Sequence, residues 1–87
     1  MIQQTSIAAF ENLDMFDLGH RQRVIYEAFR KKGACTNLEI STWEKIPINQ
    51  VTPRTNELVK LGFLVISHKR QCTISKRVAI AWRVNNG

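Results

Sequence analysis

The sequence predicts an α+β domain in which three helices are followed by a C-terminal β-hairpin. Three observations predict it. Apolar positions recur at helical spacing between His20 and Leu61, the period changes to alternation near the C-terminus, and Gly33, Pro47 and Gly62 separate the stretches. Eighty-seven residues, 44% of them hydrophobic, suit one core rather than two. The expected division is an N-terminal helical extension, residues 1–17, and a main domain, residues 18–87.

In the extension, Thr5 or Ser6 is placed to cap a short helix carrying Ile7, Phe10, Leu13 and Phe16. This acidic, apolar-faced segment suits packing on the domain and equally packing against a second copy, as a homodimer. The next helix runs from His20 to Lys32, with an apolar stripe of Val24, Ile25, Ala28 and Phe29. Arg30, Lys31 and Lys32 suit the negative end of its dipole, and Gly33 supplies its C-cap.

Thr36 followed by Glu39 is a capping box, opening a short helix expected to bury Leu38, Ile40 and Trp43. Pro47 forces an end to it, because the residue before proline is pushed from the helical region. The third helix carries Val51, Thr55, Leu58 and Leu61 inward and ends at Gly62. Pro53 requires either that this helix begin close to Ile48 or that Thr52 cap it. Phe63–Ile66 and Val78–Val84 read as strands, the second with Val78, Ile80, Trp82 and Val84 on one face. Ser67–Arg77 then forms a long basic tip. This order, helix, capped helix, tight turn, helix, hairpin, is that of a winged helix-turn-helix.

Charge points the same way. Residues 1–18 carry Glu11, Asp14 and Asp17 and no Lys or Arg, a balance of −3. The rest carries thirteen basic and four acidic residues, with no acid after Glu57. A field so segregated draws a polyanion to one end of the molecule. On the third helix, Asn49, Gln50, Thr52, Pro53 and Asn56 face away from the core and are candidate base contacts, since Asn and Gln match adenine's paired donor and acceptor. Read without function, the same residues make an ordinary solvated face. Candidate phosphate contacts are Thr36, Asn37, Arg54, Lys60, Lys69, Arg70, Lys76 and Arg77. Arg54 is equally placed for an ion pair with Glu57, and Thr36 is a cap first.

The sequence argues against other chemistry. Cys35 and Cys72 form no CxxC and are expected as free thiols. Of His20, Cys35, His68 and Cys72, only His68 and Cys72 share a metal-ligand spacing, so no metal or other cofactor is expected. No paired carboxylates, phosphate loop or nucleophile–base arrangement suggests an enzyme, and no small-molecule ligand is evident. The start, MIQQTS, lacks the features of a secretory leader, and no apolar run approaches membrane-spanning length.

The stretch Ile48–Leu64, with Val51, Leu58 and Gly62-Phe63-Leu64, resembles the recognition helix and strand entry of MarR-type winged-helix regulators. Thr36–Ile40, Pro47–Arg54 and Glu57-Leu58, with Cys72, Ser75–Arg77 and Trp82-Arg83, more closely resemble small winged-helix proteins of phages and prophages. Two departures stand out: Glu44-Lys45-Ile46 where that group's turn holds a glycine, and Ser75-Lys76-Arg77 where it has Thr-Gly-Arg. The resemblance, covering roughly residues 18–84, implies double-stranded DNA binding in a bacterial cytoplasm. The expected function is sequence-specific DNA binding in transcription regulation, with the third helix in the major groove and the hairpin on flanking phosphates. The alternative is a winged-helix module for protein assembly without DNA.

Overall fold

The computed structural model describes residues 18–86. The expected N-terminal helix and its dimer role lie outside the described residues. Within them, three helices precede a two-stranded antiparallel hairpin, an order compatible with a winged helix.

Helix α1 spans His20–Lys32 and buries Ile25, Tyr26, Ala28 and Phe29. The expected stripe is thus rotated: Val24 is 39% exposed and Tyr26 takes the inward place. Tyr26 turns in because its ring meets Phe63 edge-on, with centroids 5.6 Å apart, where strand entry closes against α1. Gln22 accepts the Gly19 N–H at 3.0 Å and caps the helix start.

Helix α2, Asn37–Glu44, opens on the expected capping box. Thr36 Oγ1 accepts from the Glu39 N–H at 3.2 Å, and Glu39 Oε1 accepts from the Thr36 N–H at 3.0 Å. Ile40 is fully buried, but Trp43 is 42% exposed, against expectation. Trp43 lies on the same side of α2 as Glu39 and Ile40 but in the last turn of the helix, one turn beyond these buried residues. The Lys32 ammonium lies 5.7 Å from the Trp43 ring centre instead.

Helix α3, Ile48–Leu61, starts directly after Pro47, whose carbonyl accepts from Gln50 and Val51. Pro53 therefore sits inside the helix, where it has no N–H for the carbonyl one turn earlier. Val51, Thr55 and Leu58 are buried as expected. Gly62 ends the helix at φ 90°, and Phe63 N–H returns to the Leu58 carbonyl at 2.9 Å.

Strand β1 is Leu64–Gln71 and β2 is Val78–Val84. The pairing runs from Leu64 with Val84 to Gln71 with Val78, with a bulge between Ile66 and His68. Strand β1 is longer than expected, so the tip shrinks to residues 72–77. Residues 67–71 lack an apolar alternation, and the ladder to β2 holds them extended. Nor does the expected face of β2 bury evenly: Val78 is 73% exposed and Ala81 is fully buried. Cys35 adds a short third line to the sheet through paired bonds with Trp82 at 3.0 and 2.7 Å. The core of Ile25, Phe29, Ile40, Val51, Leu58 and Leu64 lies between the helices and this sheet.

Both left-handed non-glycine residues among those described are lysines. Lys45 (φ 58°) caps α2, and Lys76 (φ 66°) closes the hairpin tip, where its N–H reaches the Cys72 carbonyl at 2.9 Å. They occupy the two positions where the sequence departs from a glycine-bearing turn. A side chain in this region costs on the order of 1–2 kcal/mol.

Candidate nucleic-acid interface

Helix α3 presents three sides. Its core side is Val51, Thr55 and Leu58. A second side meets the start of α1. There Arg54 grips Glu57 with two bonds at 2.8 and 2.9 Å, Gln22 donates to the same carboxylate at 2.8 Å, and Arg21 donates to Gln50 Oε1. The remaining side exposes Asn49, Asn56 and Lys60, with Thr52 and Pro53 partly covered beside them. Of the candidate base contacts, Asn49, Thr52, Pro53 and Asn56 thus share the open side, while Gln50 sits at its edge, held by Arg21.

The candidate phosphate contacts separate in the same way. Arg54 is committed to Glu57, whose carboxyl it holds below the ordinary value with help from Gln22. Arg70 is drawn inward. Its guanidinium meets both oxygens of the fully buried Glu39, at 2.6 and 2.8 Å, and also reaches the Ala34 carbonyl at 3.1 Å. Thr36 is buried, with its hydroxyl on the Glu39 N–H and 3.2 Å from Cys72 Sγ. Asn37, half-buried, lies beside it at the helix start. Lys60, Lys69, Lys76 and Arg77 are exposed and enter no ion pair among the described residues.

Glu39 is the hub that sequence reading missed. Besides Arg70, it accepts from the N–H and hydroxyl of Thr73, at 2.9 and 2.8 Å. The Arg70 guanidinium above all, then the Thr73 and Thr36 bonds, hold its carboxyl down to about 2 against the cost of burial. These bonds fasten the hairpin tip to the start of α2. No signal in the sequence reveals the link, because its partners are separated by 31 and 34 residues. Cys72 lies under the same tip. Burial pushes its thiol up, but hydrogen bonds from the Ser75 and Ile74 backbone and from Thr36 outweigh that and lower it. Burial raises the Cys35 thiol. Both cysteines are free.

The surface charge follows from these pairs. All four acids among the described residues are engaged: Glu27 with Arg30, Glu39 with Arg70, Glu44 with Lys32 and Glu57 with Arg54. Lys45 joins Lys60, Lys69, Lys76 and Arg77 as a cation with no acid paired to it among the described residues. These five lie on the turn before α3, on α3 itself and on the hairpin; Arg21 and Lys31 on α1 and Arg83 on β2, also exposed, likewise meet no acid among the described residues. A cavity of about 300 Å³ lined by Asn37, Ile48, Ser75 and Ile80 shows that the starts of α2 and α3 and the hairpin tip adjoin. No group of three metal-ligating side chains occurs among the described residues, and no helix among them is long and apolar enough to cross a membrane. Comparison of the chain with protein-family models, curated proteins and solved structures found no match.

Proposed function

We propose that the chain is a winged helix-turn-helix domain that binds double-stranded DNA sequence-specifically, as a regulator of transcription rather than an enzyme. The observation that carries this reading is the open side of α3, where Asn49, Asn56 and Lys60 stand exposed, with cations that meet no acid among the described residues on the turn before the helix and on the hairpin after it. A helix of 14 residues is about 21 Å long and enters a major groove, where amide side chains read base edges. Lys69, Lys76 and Arg77 then lie on flanking phosphates, and Lys45 on the backbone beside the α3 start. Arg54, Arg70 and Thr36 serve this surface indirectly, by holding α3, the hairpin and the α2 start in place.

Selection of bound sequences from a random duplex pool tests the reading. The expected result is an enriched motif that Asn49→Ala or Asn56→Ala relaxes at particular base pairs, costing about 1–3 kcal/mol for each bidentate contact. An equal loss across all sequences would remove base reading from these residues. Ile66 and Val78, 56% and 73% exposed on the hairpin, favour a second reading, a protein-interaction module. Absence of duplex binding would select it.

A further inference from the structure

A groove of about 340 Å³ lies between the first turns of α1 and the turn that leads into α3. Its floor is apolar, formed by Val24, Ile25, Ile46 and Pro47, and Val24 is 39% exposed there. Its rim is basic, with Arg21 and Lys45 as well as His20, and no carboxylate lines it. An apolar floor under a cationic rim fits a short peptide that alternates apolar and acidic side chains.

The chain carries such a peptide in its own sequence. Residues 1–17 hold Ile7, Phe10, Leu13 and Phe16 interleaved with Glu11, Asp14 and Asp17, and include no Lys or Arg. They join the described domain at Leu18, which is buried, one residue before the cap of α1, and His20 and Arg21 on the rim follow at once. Seventeen residues reach up to about 55–60 Å when extended, far beyond the span of the groove. A tether this short also gives the segment an effective concentration on the order of millimolar. We infer that the groove is the docking site of the chain's own acidic N-terminal segment, with Phe10 and Leu13 on the apolar floor and its carboxylates toward Arg21 and Lys45.

The consequence for DNA rests on the proposed function. The groove also includes Gln50, at the edge of the α3 reading side, and Lys45, one of the unpaired cations. A segment seated there covers both with negative charge, so duplex DNA and the segment compete for one end of α3. Binding DNA then releases the segment, and weakening its seat strengthens DNA binding.

The test uses the full chain with Ala9→Cys carrying a nitroxide. Cys35 and Cys72 are 2% and 1% exposed, so labelling falls on position 9. Without DNA, the amide signals of Val24, Lys45 and Ile46 are expected to broaden. Gly33, beyond the other end of α1 and outside the groove, broadens less. Phe10→Ser with Leu13→Ser, a charge-neutral change, reduces the broadening to the level that the tether alone produces and raises duplex affinity about threefold or more. Broadening at the groove that Phe10→Ser with Leu13→Ser leaves unchanged overturns the proposal. So does broadening that appears only when labelled protein is mixed with unlabelled isotope-enriched protein, which would assign the contact to a second copy. Broadening that persists while duplex is bound removes the competition. Broadening in a protein that binds no duplex leaves the docking intact and fails the DNA reading alone.

Discussion

Arg70 and Glu39 meet through two hydrogen bonds of 2.6 and 2.8 Å, one partner on the hairpin and the other fully buried at the start of α2. The pair separates Arg70 from its neighbour Lys69, which is exposed and meets no acid among the described residues. Lys69→Glu is expected to leave stability within about 0.5 kcal/mol, as exposed substitutions do. Arg70→Glu strands a buried carboxylate beside another and costs about 3–5 kcal/mol. Urea titration of both variants checks the contrast. Equal stability would contradict the clamp.

Acid should release the same clamp. Glu39 is held at about 2 against an ordinary 4.5, so its charged form favours the folded state. That contribution, about 3 kcal/mol, is complete above pH 4.5 and declines as pH falls toward 2. Glu39→Gln removes it at neutral pH and flattens the acid limb of the stability–pH curve. A Glu39→Gln protein with an unchanged acid limb would show that other groups govern it.

Lys45 holds a left-handed backbone at a solvent-exposed turn. Lys45→Gly relieves that strain, partly offset by the greater freedom of glycine in the unfolded chain, for a net gain of about 0.5–1 kcal/mol. If Lys45 also meets phosphate, the variant binds duplex more weakly although it is more stable. Thermal melts and duplex titration read the two effects apart. A gain in both, measured with Phe10→Ser and Leu13→Ser in place so that release of the N-terminal segment does not contribute, would take Lys45 out of the interface.

Pro53 interrupts the hydrogen bonding of α3 on its open side. Pro53→Ala restores the missing bond and should stabilise the protein by about 2 kcal/mol, after allowing for the stiffer unfolded chain that proline provides. A loss of stability would mean that the proline ring packs more favourably than its partial burial implies.

The helices were legible in sequence because their signals are local. The Thr36–Glu39 box, Pro47 and Gly62 mark ends within a few residues, and Val51, Thr55 and Leu58 mark a face. The open side of α3 followed from the same period. What was not legible depends on contacts between distant segments. Tyr26 turns inward to meet Phe63, residues 67–71 are extended by pairing with β2, and Arg70 leaves the surface to reach Glu39. Lys45 and Lys76 were visible as departures from a glycine turn, but the sequence did not reveal that they keep the left-handed backbone.

Duplex affinity measured across a salt series tests the central claim most directly. Each phosphate contact contributes a slope of about −0.9 to the logarithm of affinity against the logarithm of salt concentration. Lys45, Lys60, Lys69, Lys76 and Arg77 together therefore predict a slope of about −4.5, and Lys69→Gln with Lys76→Gln should reduce it in magnitude by about two units. Absence of duplex binding at low salt, or a slope near zero that these substitutions leave unchanged, would contradict the assignment of this surface to DNA.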